Sequence, residues 1–381
     1  MAPLRREWAA AKQGIEALHV QWQPLAGNAR RRLQSVAEAM VRDFVERLAG
    51  VRILDPACGS GNFLYVALNQ LLDLEKEAWQ FAGGLGLEQP ELAVSPAQLF
   101  GIEKNPFAAE LAQVVVWIGY LQWMKLNGFL QGKPAEPILQ ALHNIQCRDA
   151  ILALDADNQP IEPDWPEADV IIGNPPFLGS RKMRPELGDA YCESLQKIYK
   201  ERINGLPDLI CYWFEKSRTA LVKGPTQRVG LIATQAIRAG ANRQVLTNIN
   251  QIGNIFLAWS DHKWVLEGAT VHVSLIGFDR GEEQNLLLDG FPVLKINADL
   301  TAKSDLSRAI ILVENQNISF QGVVLRGAFN ISAPLAESMR NDTTNPKGRL
   351  NSNVIRPRRT GRDVVGSPSN EYVIGLTQAP S

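Results

Sequence analysis

Apolar and polar positions along the chain change their period several times, and each change marks an element. Residues 5–48 place apolar residues at helical spacing among basic and acidic ones, as in Leu33-Gln-Ser-Val-Ala-Glu-Ala-Met-Val-Arg-Asp-Phe-Val-Glu-Arg-Leu48. This predicts a helical N-terminal segment, residues 1–50, that Gly50 ends. Val51 to Leu54, apolar but for Arg52, is a short run of the kind seen in a buried parallel strand, and a Gly-rich turn and a second helical pattern follow it. The same succession recurs as a strand at 98–102 with a helix at 106–124, then strands near 144–147 and 169–172. Downstream, 208–222 reads as a helix, 229–233 as a strand, and 254–259 with 271–278 as two more strands. That last pair lacks a long crossover, so it reads as an antiparallel hairpin at the sheet edge.

Strands alternating with helices predict an α/β fold: a doubly wound, mostly parallel sheet of these seven strands. The pattern divides the chain into the helical segment 1–50, a catalytic domain 51–281, and a looser C-terminal appendage 282–381. After Gly281 the runs become short and mixed, and from about Ala333 Asn, Arg, Pro, Ser and Gly dominate.

Composition changes this picture little. The 381 residues are 45% hydrophobic and 21% charged, ordinary for a globular protein, and the net charge of −1 assigns any nucleic-acid binding to a local patch. Residues 108–124 form the longest apolar stretch, and Glu110, Gln113 and Gln122 interrupt it, so it reads as a buried helix and not a membrane span. The basic N-terminus has no apolar region behind it, which argues against a secretory signal and for the cytoplasm. Cys58, Cys147, Cys192 and Cys211 are far apart and form no pair at zinc spacing, so neither a disulfide framework nor a metal site is expected.

Candidate chemistry begins at Asp55-Pro56-Ala57-Cys58-Gly59-Ser60-Gly61-Asn62, where the first strand turns into its helix. Small residues there let the backbone approach a ligand, and Gly59 and Gly61 permit a tight turn. No phosphate-clamping lysine follows and the G-x-G-x-x-G spacing is absent, so a nucleoside without phosphate fits better than a nucleotide. Such a ligand needs an acid at the end of the second strand for its ribose hydroxyls, and Glu103 stands there, after a stretch at 82–96 that reads as an inserted loop. Asp149, followed by Ala150, closes the third strand and can accept an adenine amine; a helix N-cap is the alternative role.

The fourth strand ends in Asn174-Pro175-Pro176-Phe177. Together with D-P-A-C-G-S-G-N-F-L, this tetrapeptide resembles adenine-N6 DNA methyltransferases with the γ order of motifs. The likeness is to the methyltransferase part of MmeI-like, single-chain type II restriction-modification enzymes, and it runs from Leu4 to about Leu376. It implies the Rossmann-like fold of class I S-adenosylmethionine-dependent methyltransferases, S-adenosylmethionine as cofactor and double-stranded DNA as partner. It also implies that the Asn174 side chain and the Pro175 carbonyl accept hydrogen bonds from the target amine, that Pro176 stiffens the loop, and that Phe177 stacks on a flipped base. Asp208–Lys216 and Gly230–Ala236 resemble the fifth and sixth motifs, which shape the cofactor and base pockets. Between the Asn174 loop and the helix at 208–222, Arg181, Lys182, Arg184, Lys197, Lys200 and Arg202, interleaved with Tyr191 and Tyr199, offer phosphate contacts, although Glu186, Asp189, Glu193 and Glu201 offset much of that charge and favour equally a solvated helix face.

The sequence departs from that family in two places. Residues 1–50 contain no Tyr and no Thr, so the Tyr-Thr motif ahead of the first strand is missing, as is the acidic and lysine motif of the nuclease. Asn353–Pro357 through Tyr372–Gly375 resembles the lead-in to a target-recognition domain. The resemblance thus implies a chain short at both ends, with separately encoded nuclease and target-recognition segments as partners. Two alternatives remain open: a methyltransferase of ribosomal RNA or protein glutamine, which share the N-P-P-Y/F loop, and an inactive split-gene fragment.

Overall fold

The structure, a computed structural model, describes residues 2–130, 144–266, 269–302, 329–342, 350–359, 363 and 369–375. The N-terminal segment is a helical pair, α1 (Ala2–Trp22) and α2 (Gly27–Ala49). Pro24, which has no N–H to continue a helix, lies in the break between them. Trp8 of α1 stacks on Phe44 of α2 with ring centroids 4.9 Å apart.

Then come β1 (Ile53–Asp55), α3 (Asn62–Gly84), β2 (Leu99–Glu103), α4 (Pro106–Leu126) and β3 (Ile145–Cys147). Helix α3 takes up the start of the stretch read as a loop at 82–96. The remainder folds back onto its parent helix, where buried Glu75 accepts the backbone N–H groups of Ala93 and Val94. The short strands β4 (Ala153–Leu154) and β5 (Pro160–Ile161) pair with each other, and β6 (Val170–Gly173) leads into α5 (Ser180–Leu187) and α6 (Asp189–Tyr199). The last part of this unit comprises α7 (Ile210–Lys223), β7 (Arg228–Thr234), α8 (Arg243–Ile252), β8 (Asn254–Leu266), β9 (Ala269–Asp279), β10 (Leu287–Leu288) and β11 (Phe291–Pro292).

The sheet runs β11-β10-β8-β9-β7-β6-β1-β2-β3, parallel from β7 through β3. All seven expected strands form, but the hairpin is not an edge feature. Strand β9 turns back to lie between β7 and β8, antiparallel to both, and the short β10 and β11 extend the sheet beyond β8. The crossover through α8 leaves one strand's width open beside β7, and β9 fills it. Two cores flank the sheet. One gathers α1 to α4 against β1 to β3; the other gathers α6, α7 and α8 against β6 to β9. No described helix is long and apolar enough to cross a membrane.

Residues 1–307 form one compact unit and 308–381 another. The second holds β12 (Asn330–Ser332), α9 (Ala333–Asn341), β13 (Ile355–Pro357) and β14 (Glu371–Ile374). Its antiparallel strands are ordered β12-β14-β13 over a small core of Ile331, Ala336 and Ile355.

Candidate active site

Strand order reverses at β1, whose neighbours are β2 on one side and β6 on the other. In an open parallel sheet the crevice above the carboxyl ends at such a point receives ligands. Asp55, Glu103, Asp149 and Asn174 all follow the carboxyl ends of these neighbouring strands, so one edge collects the residues the sequence singled out.

Asp55 ends β1 and is 1% exposed. One carboxylate oxygen accepts the Ala57 N–H at 3.0 Å, whereas the other, Oδ2, is buried without a hydrogen-bond partner. Burial pushes its carboxyl up to about 7 against the opposing pull of the Ala57 N–H, and the charge of Glu103 adds a lesser upward push. A carboxylate held in that state is incomplete, and a cationic donor would satisfy it. Room for it requires a glycine opposite: a Cβ on Gly173 would lie 2.7 Å from Asp55 Oδ1.

The turn after Asp55 is shaped for close approach. Gly59 and Gly61 adopt φ of 53° and 84°, and a Cβ on Gly61 would lie 3.1 Å from the Ala112 backbone of α4. Pro56 is buried and its carbonyl accepts the Trp213 indole N–H of α7 at 3.0 Å. Cys58 is buried and packs towards Gly101, where a Cβ would meet its sulfur at 2.8 Å, and burial pushes its thiol far up. Its position is that of a filler between turn and sheet. Ala57 is half-buried, and Asn62 is exposed at the first position of α3.

Glu103 is half-buried and oriented by the backbone. Oε2 accepts the Gly59 N–H at 2.9 Å and Oε1 the Asn105 N–H at 2.7 Å. Each oxygen keeps a lone pair for a hydroxyl donor. The cap of α4 is Asn105, whose side chain accepts from the N–H groups of Phe107 and Ala108.

Asp149 is more occupied. Oδ1 accepts the N–H groups of Ile151 and Leu152, which closes a turn but starts no helix, and Oδ2 accepts Lys104 Nζ and the Tyr191 hydroxyl, both at 2.9 Å. A carboxylate offers about four lone-pair directions. All are used here, so an adenine amine would have to replace one donor, and the Lys104 side chain, 66% exposed, is the readiest to leave. Burial and the charge of Asp149 push the Tyr191 phenol upward, keeping it a donor. Ala150 is buried, and its carbonyl accepts the Trp165 indole.

The loop after β6 has the opposite character. Asn174, Pro176 and Phe177 are exposed and only Pro175 is buried. An asparagine amide and a proline carbonyl beside an open aromatic ring can accept a flat amine-bearing ring from solvent. They need neither a general base nor a metal for that.

The basic stretch at 181–202 does not form one surface. Tyr199 is fully buried with its hydroxyl on the Ile151 carbonyl, Arg202 is engaged with Glu162, and Arg184 pairs with Asp189 and Glu193. Arg181, Lys182 and Lys200 are exposed. Sequence reading missed the contacts of Tyr191 and Trp213 with this edge; both are aromatic residues with a polar tip, a type that finds a partner when buried.

Residues 30–289, more than half of the chain, match the family model described as MmeI, DNA-methyltransferase domain. DNA methyltransferase A of Bacillus subtilis (strain 168) is 28% identical over 251 residues, which are 62% of this chain and 27% of that protein. The solved type IIL restriction-modification enzyme MmeI in complex with DNA is similar over 96% of this chain and 49% of its own, with a TM-score of 0.61 and 22% identity, a likeness in fold. The chain thus spans about half of that structure and about a quarter of the curated relative.

Proposed function

This chain belongs to the MmeI DNA-methyltransferase family, and from that premise we propose that it methylates the exocyclic N6 amine of an adenine flipped from duplex DNA, with S-adenosylmethionine as donor, in the modification arm of a cytoplasmic restriction-modification system. The observation that carries this reading is the buried Asp55 carboxylate, whose Oδ2 has no hydrogen-bond partner and whose Oδ1 lies against Gly173, the residue that leads into an exposed Asn-Pro-Pro-Phe loop.

The residues present fit that cofactor. Asp55 would take its ammonium, the backbone at Pro56, Ala57, Cys58, Gly59 and Gly61 would lie along it, Asn62 would flank it, and Glu103 would take its ribose hydroxyls. Asp149 and Ala150 would border the adenine. When bound, the cofactor supplies an electrophilic methyl group. The Asn174 side-chain oxygen and the Pro175 carbonyl accept the two N–H bonds of the target amine and so aim its lone pair. Pro176 restricts the loop, and Phe177 stacks on the extruded base, an interaction typically worth about 1 to 3 kcal/mol. The methylated nitrogen then releases a proton to water. Residues 51–281 carry this chemistry, the helical segment 1–50 supports it, and 282–381 connects to target recognition, with nuclease and recognition segments as partners.

Offering labelled S-adenosylmethionine together with duplex DNA, ribosomal RNA and release factor tests the reading. It predicts N6-methyladenine in DNA; label confined to RNA or protein overturns it.

A further inference from the structure

The loop that would hold the target base is exposed along most of its length, so its shape must be fixed at its ends. At the upstream end it continues β6 through Gly173. At the downstream end its anchor is not local. The Leu178 carbonyl accepts the Leu209 N–H at 2.9 Å, and the Ser180 N–H donates to Asp208 Oδ1 at 2.8 Å. Asp208 is in turn held by Asn242, just ahead of α8. Asn242 Oδ1 accepts the Asp208 N–H at 2.9 Å, and its Nδ2 donates to Asp208 Oδ2 at 2.8 Å and to the Ala236 carbonyl at 3.2 Å. Asn242 is 9% exposed, and every hydrogen of its amide is used.

From this geometry we infer that Asp208 and Asn242 are positioning residues for the base-binding loop: a two-residue clamp that fixes Leu178 to Ser180 against the starts of α7 and α8. The inference rests on the function proposed above. Asp208 opens the segment that resembles the fifth motif and Asn242 lies outside both resembling segments; the side chains of both act through the backbone of the loop that presents Asn174 and Phe177. The cofactor turn has a separate brace in the Trp213 bond to Pro56, so losing the clamp leaves cofactor affinity in place while disturbing base capture.

The chemistry of the pair provides its own control. Asn242→Asp sets two carboxylates against each other, and Asp208→Asn sets two amide donors against each other. Exchanging them, Asp208→Asn with Asn242→Asp, restores the acceptor for Ser180, the bond between the side chains and the acceptor for the 208 N–H, while the bond to the Ala236 carbonyl is replaced by a contact between two acceptors. In the full chain, amide hydrogen exchange at Ser180 and Leu209 reads the clamp without any need for turnover. Methyl transfer and the fluorescence of 2-aminopurine at the target base read its consequence. Each single variant is expected to speed exchange at both amides by about tenfold or more and to lower kcat by a similar factor, with the affinity for S-adenosylmethionine unchanged and the exchange double variant recovering most of both. Protection that responds in this way in a chain lacking DNA methylation would sustain the clamp and remove the function proposed above. Unchanged protection in the single variants, a double variant no better than either single one, or active single variants with unaltered kcat would each overturn the clamp.

Discussion

The two halves of the crevice are built differently. On the side proposed for the cofactor, Asp55, Glu103 and Asp149 are all engaged by backbone N–H groups within a few residues or in the turn after the neighbouring strand. Their geometry follows once the parallel strands form. On the side proposed for the base, Asn174 to Phe177 carry no regular structure, three of the four are exposed, and the loop is tied down by side chains from the segments just ahead of α7 and α8. A ligand that must be held in one pose meets preorganised acids. A base arriving from a duplex, on the proposed function, would meet an open loop whose order is borrowed from elsewhere.

The sharpest way to break this comparison is to damage one half and look for effects on the other. Asn174→Ala removes an acceptor from the target amine and is expected to lower methyl transfer by about 100-fold or more, with cofactor affinity unchanged in a calorimetric titration; a parallel loss of affinity would mean the halves are not separable.

Asp55 gives an effect on stability as well as on binding, and its sign can be worked out. Its folded pKa of about 7 lies above the ordinary 3.8, so between those values the folded state holds the extra proton and stability falls as pH rises. Asp55→Asn should therefore make the ligand-free chain more stable at pH 8 by up to about 4 kcal/mol, taking about 1.4 kcal/mol per pH unit, with the gain shrinking towards pH 4. Denaturant titrations at both pH values measure it. In the unaltered chain the same group must ionise to receive an ammonium, so cofactor affinity should drop as pH falls below about 7, approaching tenfold per unit.

Gly173→Ala strikes the seam. Its Cβ would lie 2.7 Å from Asp55 Oδ1, so about 1 to 3 kcal/mol of strain should weaken cofactor binding and transfer together. An effect on transfer alone would move the seam elsewhere. Trp213→Phe, which removes the bond to the Pro56 carbonyl, is the smallest: about 1 kcal/mol of stability, read in urea, with a modest loss of affinity.

The contrast also explains what was legible in the sequence. Local features were: the Asp55 to Gly61 turn, Glu103 and the Asn174 loop fall where strand and turn patterns put them, because strand, turn and helix are contiguous. Long-range partners were not. Trp213 meets Pro56 across 157 positions, Tyr191 meets Asp149 across 42, and Asn242 meets Asp208 across 34, and no hydrophobic period encodes such pairings. The position of β9 between β7 and β8 failed for the same reason, since two adjacent strand patterns fix a hairpin but not which of its strands pairs with the sheet. The divided fate of the basic stretch depended on burial, which placed Tyr199 in the core and Arg202 against Glu162.

Calorimetric titration of the chain with S-adenosylmethionine, run beside Asp55→Ala and Asn174→Ala, tests the central claim most directly. The account predicts a single site in the unaltered chain, retained by Asn174→Ala and weakened at least about tenfold by Asp55→Ala. A folded chain that binds no S-adenosylmethionine, or binds it regardless of Asp55, would contradict it.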